Sequence, residues 1–337
     1  MKQAKKVLVI VFLLFLAVLP LSAQNPTIAT LEDAIDDAAE ILGKTMITNS
    51  GIGLNWSDAY IGQLIGMPPH FGIGASAGFT AISLDDLDDI YKQFDSDGID
   101  SLDIPVGFLP LPAVAGEIRI GGFFLPFDIG IKALPLPEME FGDMKVKYMM
   151  VGGDFRYALM QEKGWAPAIS VGIGFTYTNV ELSSSLGDDT EVDLSPLSGY
   201  TDVDKLLISA PDLNFSMENK TVDLKVQVSK KLFIITPYLG LGVSYGWSTV
   251  DLEVDSDISD TIGGIGLDPN VIKAVADATG LSLSDTSLKK SNDYSGFGLR
   301  GFGGLSLNIF VLRLDVTGLY DIINSNWGAS LGLRIQI

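Results

Sequence analysis

The chain has 337 residues, no cysteine, a single histidine (His70) and a formal net charge of −20. Without cysteine there is no disulfide framework, no thiolate metal centre and no cysteine nucleophile. The acidity argues against a nucleic-acid partner, which selects basic surfaces. Yet 47% of the residues are hydrophobic and only 19% charged, with a mean hydropathy of +0.32, whereas soluble domains run at about 25% charged. Oil and acid must sit in different places.

The N-terminus carries Lys2, Lys5 and Lys6, then an apolar run from Val7 to Leu19, then Pro20 and Leu21-Ser22-Ala23-Gln24. This pattern predicts a secretory signal peptide over 1–23. No cysteine follows it, so a lipoprotein anchor is excluded. Beyond Ala23 no run reaches the roughly 18 apolar residues that a spanning helix needs. The apolar content must then cross a membrane, if it does, as period-two strands.

Residues 24–66 form a separate N-terminal segment. Leu31, Ile35, Ala38 and Leu42 fall on one stripe of a helix over 27–48, while Glu32, Asp33, Asp36, Asp37 and Glu40 face away. Thr30 caps it, and the acids sit where the helix dipole favours them. The position before the first strand predicts a periplasmic helix at the barrel base, either a plug, hatch or tethered lid or a loose helix. A glycine-rich stretch from Asn49 to Gly66 follows.

Strands are expected at 70–83, 113–122, 127–134, 146–160, 167–182, 214–229, 233–253, 294–308, 311–322 and 326–337. Several alternate cleanly: Val222, Leu224, Val226 and Val228 share one face against Asp223, Lys225 and Gln227. The connections alternate between short and long, the long ones being 84–112, 183–213 and 254–293. This is the pattern of a transmembrane antiparallel up-and-down β-barrel over 67–337, all-β, of about ten strands (range 8–14), with short periplasmic turns and longer outer loops. The three long loops carry −7, −6 and −4, so most of the net charge sits on one rim. Such a rim attracts cations over a screening length of about 8 Å.

The lumen face is nearly balanced. Its expected acids are Glu117, Asp128, Asp154, Asp223, Asp315 and Asp321, and its bases Arg119, Lys132, Arg156, Lys225, Arg300, Arg313 and Arg334. A barrel this narrow crowds its charges, and unpaired buried charges are costly. The set is read as an ion-paired network, either a structural core or a gated polar path.

Candidate chemistry is sparse. Barrel proteases, phospholipases and acyltransferases each need a histidine base. His70 is expected at the periplasmic start of the first strand, away from the outer rim, and no enzyme is predicted. Asp95, Asp97, Asp100 and Asp103 around Gly98 offer oxygens for Ca²⁺ but lack the glutamate of the twelve-residue calcium loop; Ca²⁺ is the one cofactor candidate. Gly172-Ile173-Gly174 and Gly240-Leu241-Gly242 lie inside strands with no helix following, unlike phosphate loops. Within 254–293, Asp268, Pro269 and Gly280 bracket a helix that would pack among the loops or fold over the mouth.

The signal ending Leu21-Ser22-Ala23-Gln24, the acidic helix, Gly51-Ile52-Gly53-Leu54-Asn55-Trp56 and the hairpin Gly116-Glu117-Ile118-Arg119-Ile120-Gly121-Gly122 to Leu125-Pro126-Phe127-Asp128-Ile129-Gly130 resemble bacterial outer-membrane β-barrel proteins of spirochaete and Bacteroidetes type. The plug-like N-terminal segment is remotely similar to that of outer-membrane fatty-acid channels, whose barrels are usually larger. The chain departs from many outer-membrane proteins by ending in Ile337 rather than Phe or Trp. The resulting expectation is an outer-membrane protein, freed of its signal peptide and embedded in lipid. It would form a narrow plugged channel for small or hydrophobic solutes. The alternative is a non-transporting structural or surface-interaction, adhesin-like barrel acting through its acidic loops.

Overall fold

A computed structural model describes residues 28–58, 61, 70–92, 107–122, 125–141, 144–185, 190–193, 205–208, 212–255, 258–260 and 287–337. The expected signal peptide, the Asp95–Asp103 loop and the helix bracketed by Asp268 and Gly280 lie outside the described residues.

Ten strands close into an antiparallel barrel. They are β1 (His70–Ser83), β2 (Phe108–Gly121), β3 (Phe127–Phe141), β4 (Met144–Met160), β5 (Ala168–Ser185), β8 (Asp212–Ser229), β9 (Ile235–Asp255), β11 (Ser287–Ile309), β12 (Leu312–Asp321) and β13 (Trp327–Gln336). Closure pairs β1 with β13, from Gly72 opposite Gln336 to Thr80 opposite Gly328. The short strands β6 (Thr190–Asp193), β7 (Lys205–Ile208) and β10 (Ile258–Asp260) form a separate three-stranded sheet. Two helices complete the described elements: α1 (Ile28–Asn49) and α2 (Leu84–Lys92).

Each expected strand has its counterpart, but most run longer. The expected connection 135–145 is largely strand: β3 continues through Pro135 and Pro137 to Phe141, and a register shift between Leu136 and Met139 absorbs the prolines. The loop expected at 84–112 begins with α2 and ends inside β2. Those expected at 183–213 and 254–293 supply β6, β7 and β10, which alternation alone did not reveal. The short turns are tight, with Gly122, Gly164, Phe233 and Phe310 at positive φ.

The strands keep one facing throughout, but the apolar residues change sides partway along their length. In β8, Val222, Leu224, Val226 and Val228 face outward, while Thr221, Lys225 and Gln227 are buried inward. Nearer the long connections the same strand turns Asn214 and Lys220 outward and buries Leu213, Phe215 and Met217. In β4, Val146 is buried and Lys147 exposed near one end, while Phe155 is exposed and Arg156 buried near the other. A membrane strand needs only about 9–11 residues, whereas β8, β9 and β11 have 18, 21 and 23. The half near the short turns therefore presents an apolar belt outward, while the half near the long connections is polar outside and apolar inside. Trp165, Phe233 and Phe310, in the short turns, are almost fully exposed, and aromatic rings at such a border suit a membrane interface.

Candidate functional site: a lumen threaded by its own N-terminus

The interior is occupied. Alongside β11, which descends from the long-connection end, α1 descends in step. Asp36 pairs with Lys290 at 3.4 Å, Gly43 lies against the Tyr294 ring, Ile47 beside Gly298, and Gly51 against the Arg300 guanidinium. The helix was expected at the short-turn end; it sits instead in the long-connection half, its N-terminal end outermost. The inward apolar residues of that half explain why. Ile35, Ala39, Leu42 and Met46 pack there with Ile82, Leu87, Ile90, Leu109, Met144, Val146, Leu182, Leu213, Phe215, Met217, Val250 and Leu252. Each large aliphatic side chain buried this way contributes roughly 1.5–3 kcal/mol. Close approach to the wall depends on Gly246, where a Cβ would lie 2.5 Å from Ile47.

The helix ends at polar wall groups. Thr48 Oγ1 donates to Asp321 Oδ2 at 3.0 Å, and Asn49 Nδ2 donates to the Leu111 carbonyl at 3.0 Å. Asp321 also accepts the Leu299 N–H at 3.1 Å and the Ile323 N–H at 3.0 Å. Although Arg300 and Asp321 face each other in register, the carboxylate serves the turn after β12 and the helix end.

Below α1 the chain runs on through the lumen, and its carbonyls meet a ladder of wall donors. Lys132 Nζ donates to Ser50 O at 2.6 Å and Ile52 O at 2.8 Å. Arg119 Nη2 donates to Leu54 O at 3.3 Å. Arg156 Nη1 donates to Trp56 O at 3.2 Å and Asp58 O at 2.7 Å. Gln227 Nε2 donates to Trp56 O at 2.8 Å and Ser57 O at 3.0 Å. The Ile61 N–H donates to Asp128 Oδ2 at 2.8 Å. An irregular backbone has no ladder of its own, so its buried polar groups must find partners elsewhere; here the barrel wall supplies them.

Twelve of the thirteen expected charges surround this passage, while Asp321 sits at the helix end. Arg119 pairs with Asp128, and with Asp154 at 2.6 Å. Arg156 clasps Asp128 through Nε and Nη2 at 2.9 and 2.7 Å, and Lys225 meets Asp154 at 2.8 Å. Together they form one buried chain across β2, β3, β4 and β8. Gly130 makes room for it, since a Cβ there would lie 2.5 Å from Asp154 Oδ1. Arg300 and Asp223 are 3.9 Å apart, and Arg334 and Asp315 3.3 Å. Glu117 accepts the Trp56 indole N–H. Arg313 faces Arg334 in register across β12 and β13.

Two participants were not expected from the sequence. Trp56 lies between guanidiniums, with Arg334 4.6 Å and Arg119 5.4 Å from its ring centre, geometry that stabilises a cation over an aromatic face. Asp58 pairs with Arg334 at 3.2 Å. The wall has seven bases against six acids; Asp58, from the thread, is the seventh carboxylate. That imbalance of one was the available signal. His70 is buried at the start of β1, at the short-turn end.

Among the described residues, two small cavities of about 20 and 10 Å³ flank the thread. The larger, beside Trp56, Ser76, Glu117 and Arg334, has room for about one water. Among the described residues no group of three or more His, Cys, Asp or Glu is placed to hold a metal ion, and no helix is long and apolar enough to cross a membrane.

A family model described as Lsa36-like matches residues 65–337. The chain belongs to the Lsa36-like family. The match covers the barrel of this Lsa36-like protein, whereas α1 and the thread precede it. No curated protein matches the chain. Among solved structures it is similar to the outer membrane protease OmpT of Escherichia coli, at 9% identity over 83% of this chain and 100% of that one, with a TM-score of 0.36. It is also similar to the toluene transporter TbuX of Ralstonia pickettii (12% identity, 81% and 90% covered, TM-score 0.26). A third is Ail, the attachment invasion locus protein of Yersinia pestis (10% identity, 80% and 100% covered, TM-score 0.25). These likenesses carry no function over to this chain.

Proposed function

We propose that this protein is an outer-membrane β-barrel acting as a narrow, plugged channel for small or hydrophobic solutes. The observation that carries the reading is the thread from Ser50 to Asp58. It fills the lumen, yet it is held mainly by reversible hydrogen bonds from Lys132, Arg119, Arg156 and Gln227. The apolar outward belt supports the membrane setting. The inward apolar lining above it, covered by α1, supports a mouth suited to hydrophobic solutes. The polar network below suits small polar ones.

Conductance in planar bilayers tests this. The full chain is expected to stay mostly closed and a variant lacking 28–58 to open. A deletion variant that inserts as a barrel and neither conducts nor passes solutes overturns the channel reading.

A second reading has its own observation. Two of the three acidic connections, 183–213 and 254–293, build the three-stranded sheet of β6, β7 and β10, which favours an ordered interaction surface at that end. Loss of attachment to a surface ligand on deleting 186–211, with no conductance in any variant, favours it.

A further inference from the structure

Helix α1 runs in a definite direction inside the barrel. Asp36 stands opposite Lys290, Gly43 opposite Tyr294 and Ile47 opposite Gly298, so rising numbers in α1 follow rising numbers in β11. The strand β11 descends from the long connection after β9 to the short turn before β12. Below α1 the chain reaches Ile61, bonded to Asp128 near the short-turn end, and re-enters the wall at His70 on that same end. The polar face of α1 carries Asp33, Asp36, Asp37 and Glu40, all exposed, while Ile35, Ala39 and Leu42 are buried.

We propose that the chain threads its own barrel from the periplasmic to the outer side, so that the polar face of α1 forms part of the cell-surface end of the molecule. The N-terminal segment is then not a periplasmic appendage. It is a through-going element whose outer part is readable from outside the cell and whose inner part holds the lumen shut. A partner that grips α1 from outside would pull on the thread directly, because helix and thread are continuous between Met46 and Asp58. The inference rests on the membrane setting proposed above.

The absence of cysteine makes the test clean. Three single-cysteine variants of the full chain are expressed and treated on intact cells with a membrane-impermeant maleimide. Asp33→Cys reports α1. Asn214→Cys, exposed at the long-connection end of β8, and Lys231→Cys, exposed in a short turn, report the two ends of the barrel. Labelling after permeabilisation normalises each.

The expected result is at least a fivefold stronger signal for Asp33→Cys and Asn214→Cys than for Lys231→Cys on intact cells. Labelling of Asn214→Cys with Asp33→Cys silent until permeabilisation overturns the inference and leaves the membrane barrel standing. Equal labelling of Asn214→Cys and Lys231→Cys, or labelling of Lys231→Cys alone, overturns the membrane orientation and the inference with it.

Discussion

Arg156 on β4 and Asp128 on β3 form a two-point clasp at 2.7 and 2.9 Å, and the guanidinium's remaining nitrogen reaches the Asp58 carbonyl at 2.7 Å. One side chain thus ties wall to wall and wall to thread. Arg156→Met leaves Asp128 with Arg119, leaves the Trp56 carbonyl to Gln227 alone, and removes the donor to the Asp58 carbonyl. Breaking a buried pair from one side costs about 3–5 kcal/mol. The expected outcome is a lower temperature of heat-modified migration on gels and more frequent open events in bilayers. Arg156→Lys keeps the charge but cannot repeat the fork, so it should fall between. Unchanged gating in Arg156→Met would remove the clasp from the closure.

Asp58 balances the lumen. In Asp58→Asn the seven wall bases face six acids, and Arg334 keeps the Asp315 carboxylate at 3.3 Å and the Ser57 hydroxyl at 2.8 Å. Any residual conductance should shift toward anions. The reversal potential in a salt gradient reads this; a shift toward cations contradicts the assignment of Asp58 to the network.

Helix seating depends on the space left at Gly246. A valine there would drive branched carbons into Ile47. Overpacking of this kind costs about 1–3 kcal/mol, borne by the helix rather than by the paired strands. Gly246→Val should raise protease cleavage within α1 while the barrel keeps its gel migration. Equal protection of α1 in both proteins would show that the wall yields instead.

The outward belt has a definite edge on β8, between Lys220 and Val222. Leu224→Arg places a charge on the lipid face and should cost about 2–4 kcal/mol of insertion free energy. Ser216→Arg, above the edge, should cost almost nothing. Folding yield into lipid vesicles separates the two; equal yields would move the membrane level.

The strands and their order were legible in the sequence because both are local properties. Alternation such as Val222, Leu224, Val226 against Asp223, Lys225, Gln227 sets which residues face one way, and short turns such as 230–234 force neighbours to pair. The same parity puts charged residues such as Lys225 and Arg156 on the inward face. The change of apolar side along β8 was also written in the sequence, as Leu213, Phe215 and Met217 on odd positions and Val222, Leu224 and Val226 on even ones. Its meaning was not, since alternation cannot say which face is inward at a given height.

The N-terminal segment was decided by tertiary structure. Amphipathicity shows that Ile35 and Leu42 need an apolar partner, not whether it lies at the base or the mouth. The mouth wins because the larger apolar cluster of the inner wall, the one that Ile35 and Leu42 join, lies there. Likewise Gly51 to Asp58 has no periodicity to read, because its backbone partners are Lys132, Arg119, Arg156 and Gln227, scattered along the wall and brought around the thread only when the barrel closes.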